Sequence, residues 1–238
     1  MNICVIPARG GSKRIPRKNI KNFCGKPIIL WSIEEAIKSK CFEKIIVSTD
    51  DEEIANFVKN YGAEVPFIRP KELSHDYIQT IPVIAHAIRH QIKHDKTPSN
   101  VCCIYPAAPF ISSIDIEIGL EKLKNSGADF TFPVTSYAFP IHRSFWITKN
   151  QRVEMFQSNY TNSRTQDLKE AYHDAGQFYW GKLNSWLESN SIINKNACPI
   201  MLPRYRVQDI DTPEDWRRAI YKIFIFKFQL LINKINWN

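Results

Sequence analysis

The sequence predicts an α/β fold with a mostly parallel sheet and helices on both faces. Short apolar runs bounded by turn residues recur along the first part of the chain, and helical patterns fill the stretches between them. Continuous apolar runs suit strands that are buried on both faces of a sheet. Their alternation with helices is typical of a doubly wound fold, so we expect one domain over residues 1–218.

The predicted elements alternate in order along the chain. Strands are expected at residues 3–6, 44–48, 101–105 and 130–134, and helices at about residues 28–39, 51–61, 80–94 and 114–126. Ligands of such sheets bind outside the carboxyl ends of the strands. We therefore expect the loops that begin at Pro7, Thr49 and Pro106 to line one crevice.

Two segments depart from this alternation. Residues 136–171 are rich in Asn, Ser, Thr, Gln and Arg, which indicates an extension that covers the site or pairs subunits. Residues 219–238 form an apolar, basic tail that lacks the roughly 20 continuous apolar residues of a membrane span. A packed terminal helix is the favoured interpretation of the tail, and a helix that binds a membrane surface or a partner remains open.

The formal net charge of +8 favours an anionic partner. Aromatic residues are not interleaved with the basic cluster, so we expect no nucleic-acid binding. The amino terminus lacks the pattern of a secretory signal, and none of the six cysteines falls in a CxxC pair. Both observations favour a cytoplasmic protein with reduced thiols.

The segment VIPARGGSKRIPRKNI, residues 5–20, follows the first predicted strand and carries two glycines and five cations. The cations are Arg9, Lys13, Arg14, Arg17 and Lys18. Backbone amides of such a loop can approach a polyphosphate closely. The segment matches neither the P-loop nor the dinucleotide motif, so it predicts an unrelated triphosphate loop, with a solvated basic turn as the alternative.

Two acidic segments follow later strands. In STDDEEI, Thr49 with Glu52, or Asp50 with Glu53, has the spacing of a capping box, so helix capping is favoured over catalysis. In RVQDIDTPEDW, Asp209 and Asp211 are two apart in an extended segment and point to the same face, as a Mg²⁺ site requires. The alternative is a pair of exposed turn residues before a helix with Thr212 as its N-cap.

His173 and Asp174 are neighbours in RTQDLKEAYHDAGQFYWG, a run of aromatic and small residues. This composition indicates a site wall, in which His173 binds a hydroxyl or transfers a proton. A buried histidine with a purely structural role is the alternative.

The segments IPARGGSKRIPRKNI, VSTDDEEIA, RPKELSHD and QDIDTPEDW together resemble the acylneuraminate cytidylyltransferase family, in that family's order. YPAAPF, FPIHRSF and RTQDLKEAYHDAGQFYWG resemble its pseudaminic acid branch. The resemblance implies a Rossmann-like nucleotidyltransferase fold and a homodimer built through the extension. It also implies that CTP reacts with an acidic nine-carbon sugar to give a CMP-sugar and pyrophosphate.

The resemblance also implies roles for individual residues. Catalysis would involve Arg9 and Lys18 on the triphosphate and Asp211 as a candidate base, and Asp209 and Asp211 would hold Mg²⁺. The nucleotide would contact Ala8, Arg9, Gly10, Ser12, Lys13, Asn19, Arg69 and Thr80. The sugar would contact Arg164, Gln166, His173, Asp174, Gln177 and Tyr179.

One departure from the family separates its branches. Many relatives carry Pro-Thr-Ser-Pro-Leu-Arg where this chain has PAAPFI, residues 106–111, so two hydroxyls and an arginine are absent. This difference favours pseudaminic acid over N-acetylneuraminic acid. The same reaction on N-acetylneuraminic or legionaminic acid remains an alternative, as does an inactive regulatory protein that binds the nucleotide without turnover.

Overall fold

A seven-stranded, mostly parallel sheet forms the centre of the computed structural model, which describes the backbone of residues 1–235 and the side chains as far as Phe226. The strands of the chain are β1 (Asn2–Pro7), β2 (Asn22–Phe23), β3 (Lys26–Pro27), β4 (Lys44–Ser48), β5 (Asn100–Ile104), β6 (Phe130–Ser136), β7 (Phe145–Ile147), β8 (Val153–Met155), β9 (Tyr172–Asp174), β10 (Phe178–Lys182) and β11 (Ala197–Met201). The helices are α1 (Ile28–Ser39), α2 (Glu52–Lys59), α3 (Thr80–His94), α4 (Ser113–Ser126), α5 (Leu183–Glu188) and α6 (Pro213–Ile235).

The main sheet has the order β11-β6-β10-β5-β1-β4, and β9 pairs with the far end of β6. β1 is parallel to both of its neighbours, whereas β10 runs antiparallel between β5 and β6. The predicted α/β fold is confirmed, and the four predicted strands and four predicted helices are present in order. β10 was not predicted, although it is a continuous apolar run buried on both faces like β1, because the aromatic and small residues around it indicate a site wall.

Helices cover both faces of the sheet, as the side chains of β1 show. Ile3 and Val5 point towards α3 and α5, whereas Cys4 and Ile6 point towards α1 and α4. All four side chains are fully buried. A side chain of this kind stabilises the fold by about 1.5–3 kcal/mol on complete burial, so the uninterrupted apolar run holds both layers together.

The start of α2 corrects one prediction from the sequence. The N-cap is Asp51, whose carboxylate accepts a hydrogen bond of 3.0 Å from the amide of Ile54. Neither Thr49 nor Asp50 serves as the cap. The hydroxyl of Thr49 accepts from the amide of Asp51, and the carboxylate of Asp50 accepts from the amide of Gly10 in the basic loop. Asp50 therefore connects the second loop of the sheet to the first.

The segment between β6 and β9, residues 137–171, lies outside the main sheet. It contains the antiparallel hairpin of β7 and β8 together with single turns of 3₁₀ helix. Phe139, Phe145, Ile147 and Val153 expose more than half of their surface here. An apolar surface of this kind on a hairpin is typical of an interaction site.

The last helix begins with a reciprocal cap. The hydroxyl of Thr212 accepts from the amide of Asp215 at 3.2 Å, and the carboxylate of Asp215 accepts from the amide of Thr212 at 2.9 Å. The predicted cap at Thr212 is thus confirmed. The described part of the helix is also packed, as predicted, because Trp216 and Ile223 are buried in one cluster with Phe23, and the ring of Trp216 packs on that of Phe23. The helix crosses residue 219 without a break.

Part of the predicted tail, residues 236–238, lies outside the described residues. Within the part that is described, no helix combines the length and the apolar character needed to cross a membrane.

Candidate functional site

A cavity of about 550 Å³ opens at the carboxyl ends of β1 and β5. The loops that follow these strands line it through Pro7 and Pro106, as predicted, and Asp211 reaches it from the segment before α6. The loop that begins at Thr49 was predicted to line the crevice as well, but Thr49 is fully buried and does not line the cavity. The remaining lining residues are Arg9, Ser12, Lys13, Arg14, Lys18, Asn19, Arg69, His75, Asp76, Ile78, Gln79, Thr80, Val83 and Tyr105.

The basic loop is held in place by the elements beside it. The amide of Gly10 donates to the carboxylate of Asp50 at 2.9 Å, and Arg17 pairs with Asp51 and Glu53 at the start of α2. A methyl group on Gly10 would come within 2.9 Å of the Cβ atom of Asp51. The absence of a side chain at Gly10 thus allows the loop to pack directly on α2, which is unlike a solvated turn.

Four cations of this loop lie around the cavity. Arg9 and Lys13 both contact the carboxylate of Asp76. Arg14 lies 2.8 Å from the carboxylate of Asp211, and Lys18 lies 3.5 Å from it. Like charges so close together repel one another, and two carboxylates do not neutralise four cations. The cavity is therefore suited to a polyanion.

Two polar side chains form the floor of the cavity. Asn19 is buried, and its amide nitrogen donates to the carbonyl of Arg9 at 2.9 Å, while its side-chain oxygen has no hydrogen-bond partner among the described residues. Arg69 is only 4% exposed and lies 3.7 Å from Asp50. Burial lowers the pKa of Arg69, and the charge of Asp50 opposes this shift. Both groups retain hydrogen-bonding capacity for a ligand, because arginine stays protonated and the Asn19 oxygen is unused.

Asp211 lines the cavity and Asp209 does not, although the charges of Asp211 and Lys18 both act on the carboxylate of Asp209. The ammonium of Lys18 donates to the carbonyl of Ile210, between the two aspartates, at 2.6 Å. Burial raises the pKa of Asp209, and the negative charge of Asp211 raises it further. A divalent cation would relieve this repulsion, so the two carboxylates fit such an ion. No cluster of three or more His, Cys, Asp or Glu side chains that could hold a metal ion occurs among the described residues.

A second cavity of about 270 Å³ adjoins the first and shares Gln79, Thr80 and Tyr105 with it. Asp174, Tyr179 and residues 190–193 complete its lining, together with Ile81. The hydroxyls of Thr80 and Tyr105 are 2.9 Å apart, and the hydroxyl of Tyr179 donates to the carboxylate of Asp174. Burial raises the pKa of Tyr105 to about 12, so its hydroxyl is neutral near pH 7.

Most of the residues predicted for the nucleotide line the first cavity. The exceptions are Ala8, which is buried, and Gly10, which lies against Asp51. Of the residues predicted for the sugar, Asp174 and Tyr179 line the second of these two cavities. His173 bonds to the carbonyl of Asp174 and packs on the ring of Tyr137.

The remaining residues predicted for the sugar line neither cavity, and they are either buried in the fold or exposed on the extension. Gln177 is buried and donates to the carbonyl of Arg206 at 2.7 Å. Arg164 pairs with Asp167 on the exposed extension, and Gln166 lies beside them. In this single chain, the structure does not bring these residues to either cavity.

Sequence reasoning missed Tyr105 and Asp76. Tyr105 directly follows β5, so its place at the carboxyl end of a strand was a signal that could have identified it. Asp76 ends the segment RPKELSHD, where nothing in the local spacing marks it out. Only the folded chain brings it to Arg9, 67 residues away in sequence.

Comparisons with known proteins identify relatives of this chain. A family model described as cytidylyltransferase matches residues 3–206. A pseudaminic acid cytidylyltransferase of Campylobacter jejuni is 43% identical over 93% of this chain and 97% of its own length. A CMP-N,N'-diacetyllegionaminic acid synthase of Legionella pneumophila is 31% identical over 90% of this chain and 92% of its own.

A solved structure has the same fold. The structure of CMP:2-keto-3-deoxy-manno-octonic acid synthetase complexed with CTP aligns with a TM-score of 0.67 and 16% identity. The alignment covers 93% of this chain and 98% of the other. At this identity the likeness concerns the fold alone.

Proposed function

Because the chain belongs to the cytidylyltransferase family, we propose that it transfers CMP from CTP to the anomeric hydroxyl of pseudaminic acid and releases pyrophosphate. The observation that carries this proposal is that the basic loop and Asp211 meet at one cavity, although they lie at opposite ends of the chain. The 43% identity to a pseudaminic acid cytidylyltransferase supports the choice of sugar.

In this proposal the first cavity binds CTP. Arg9, Ser12, Lys13 and Lys18 hold the triphosphate, and the positive charge of the loop stabilises pyrophosphate as it leaves. Asn19, Arg69 and Thr80 contact the nucleoside, and Ala8 and Gly10 shape the loop from behind. Most of the rate then comes from positioning and electrostatic stabilisation of the transition state.

We assign Asp209 and Asp211 to a divalent metal ion, with Mg²⁺ as the ion expected. When bound, such an ion supplies positive charge beside the phosphates and lowers the pKa of a hydroxyl close to it. Asp211 also lines this cavity, and in our proposal its carboxylate accepts the proton of the attacking hydroxyl.

The second cavity is the proposed site of the sugar, because it adjoins the nucleotide cavity and carries neutral hydroxyls. Asp174 and Tyr179 line it, and His173 and Gln177 support the wall behind them. Arg164 and Gln166 belong to the same proposal, but they reach the sugar only if the extension moves or comes from a second copy.

The first test is pyrophosphate release by the purified protein with CTP and Mg²⁺. Pseudaminic, legionaminic and N-acetylneuraminic acids are compared, and Asp209→Ala serves as the inactive control. We expect release with pseudaminic acid and a loss of at least about 100-fold in the variant, a size typical of a lost catalytic group. Release with another acid alone would correct the sugar. No release with any acid, together with intact CTP binding, would favour an inactive nucleotide-binding protein.

We further propose a homodimer that forms through residues 137–171. The hairpin of β7 and β8 exposes apolar side chains, and an isolated two-stranded hairpin is at best marginally stable in water. Burial against a second copy would stabilise it. We place the enzyme in the cytoplasm, which suits the free cysteines of this chain.

We expect Val153→Glu to convert the dimer into a monomer, because Val153 is 70% exposed on the hairpin and a buried carboxylate without a partner is costly. Light scattering over a range of protein concentrations measures the change in mass. Glu154→Gln, one residue along the same strand, is the matched control and should leave the mass unchanged. An unaltered mass in Val153→Glu would contradict this interface.

A further inference from the structure

Asp76 lies inside the proposed nucleotide site and holds two of its cations. Its carboxylate contacts the guanidinium of Arg9 through one oxygen and the ammonium of Lys13, at 2.5 Å, through the other. Asp76 and its neighbour His75 belong to the cavity wall. The carboxylate of Asp76 thus occupies the position in which we expect phosphate oxygens to contact Arg9 and Lys13.

We propose that Asp76 is an internal ligand of the phosphate site, which the triphosphate displaces when it binds and which recaptures the cations when pyrophosphate leaves. This inference rests on the proposed function, since it takes Arg9 and Lys13 as triphosphate ligands. It gives Asp76 a role of its own, which is to weaken anion binding and to keep the site ordered between turnovers.

The electrostatics of the loop explain why such a ligand is needed. Arg9 and Lys13 repel each other and the nearby Arg69, which is itself buried. Asp76 offsets this repulsion when no phosphate is present. Arg14 and Lys18 contact Asp211 instead, so each pair of cations shares its own carboxylate.

A triphosphate can displace Asp76 because the ion pairs of Asp76 with Arg9 and Lys13 are exposed to solvent. The side chains of Asp76 and Arg9 are 33% and 36% exposed, and that of Lys13 is 81% exposed. Ion pairs with such access to water are weak and are screened by salt. A triphosphate carries several charges and forms charge-assisted hydrogen bonds with arginine, so it can replace a single carboxylate.

The surrounding segment also leaves room for Asp76 to move. The next residue, Tyr77, is 92% exposed, and Ile78 is held by a backbone bond of 3.3 Å to His75. By contrast, α3 begins at Thr80, whose hydroxyl bonds to Tyr105. The carboxylate can therefore withdraw by a local change upstream of α3, without disturbing the helix.

Isothermal titration with CTP, pyrophosphate and inorganic tripolyphosphate, in the absence of sugar, tests this inference. Asp76→Asn removes the charge and keeps the shape, so we expect all three ligands to bind about three- to tenfold more tightly, as the loss of two weak ion pairs implies. Asp76→Ser is a second variant that lacks the carboxylate. Glu72→Gln removes the same charge four residues away, outside the cavity lining, and should change each affinity less than about twofold.

Equal or weaker binding of all three ligands in both Asp76 variants would overturn the inference and make Asp76 a residue that positions Arg9 and Lys13. An equal gain in Glu72→Gln would also overturn it, because the effect would then reflect net charge. These outcomes are separate from a failure of the proposed function, in which the wild-type protein binds tripolyphosphate but gives no pyrophosphate from CTP with any sugar acid.

Discussion

Asp211→Asn is expected to lower kcat at saturating Mg²⁺ by about 10²–10³-fold, the range of a lost general base. Asp211 lines the nucleotide cavity, and its carboxylate meets both Arg14 and Lys18. The amide keeps the shape of the side chain but cannot take up a proton or neutralise these cations. Pyrophosphate release measured over a series of Mg²⁺ concentrations separates an effect on metal affinity from an effect on the rate.

The matched control for this variant is Glu214→Gln, which removes a carboxylate three residues away. Glu214 is exposed and, within the part of the chain that the structure describes, forms an ion pair only with Arg218, so its loss should change kcat less than about twofold. If Asp211→Asn weakens metal binding but reaches the wild-type rate when the metal saturates, then Asp211 is a metal ligand and not the base.

Gly10→Ala is expected to lower kcat/KM for CTP by about 10²-fold, a loss typical of catalytic groups displaced by about 1 Å. The added methyl group would lie 2.4 Å from a carboxylate oxygen of Asp51 and 2.9 Å from its Cβ atom. Either the loop or the start of α2 must then shift, and Arg17 is bound to the same carboxylate. Thermal or chemical unfolding should also show a loss of about 1–3 kcal/mol in the free energy of unfolding, as overpacked sites do.

Gly11→Ala is the control, because a methyl group there meets no atom within 4 Å. We expect its stability to stay within about 0.5 kcal/mol of wild type. Kinetics with CTP should likewise resemble those of the unaltered protein. Similar losses in both variants would mean that the loop needs glycine for its flexibility, and that the contact with Asp51 is not the cause.

The sequence predicts the parallel part of the fold because local patterns determine it. The apolar run at the start of β1 and the helical pattern of α1 are each legible alone, and the order of such elements indicates the sheet. The basic loop can also be predicted from the sequence alone, because its glycines and cations directly follow a predicted strand. Resemblance to a family then supplied the roles of Asn19 and Arg69, which spacing alone does not reveal.

What the sequence could not predict depends on contacts between distant segments. β10 enters the sheet antiparallel between β5 and β6, and this pairing with distant strands is not specified by its own apolar run. The N-cap of α2 falls on Asp51 because Asp50 is engaged by the basic loop. In the same way, Asp76 reaches Arg9 only through the tertiary fold.

The bond between Lys18 and the carbonyl of Ile210 joins residues 192 positions apart. During synthesis, the amino-terminal half of the chain emerges first and can begin to fold as a unit. The carboxylates of Asp209 and Asp211 join the basic loop only when the last part of the chain has left the ribosome. A stalled or prematurely terminated chain would thus carry the cationic loop without Asp209 and Asp211, so we expect it to bind anions but not to turn CTP over.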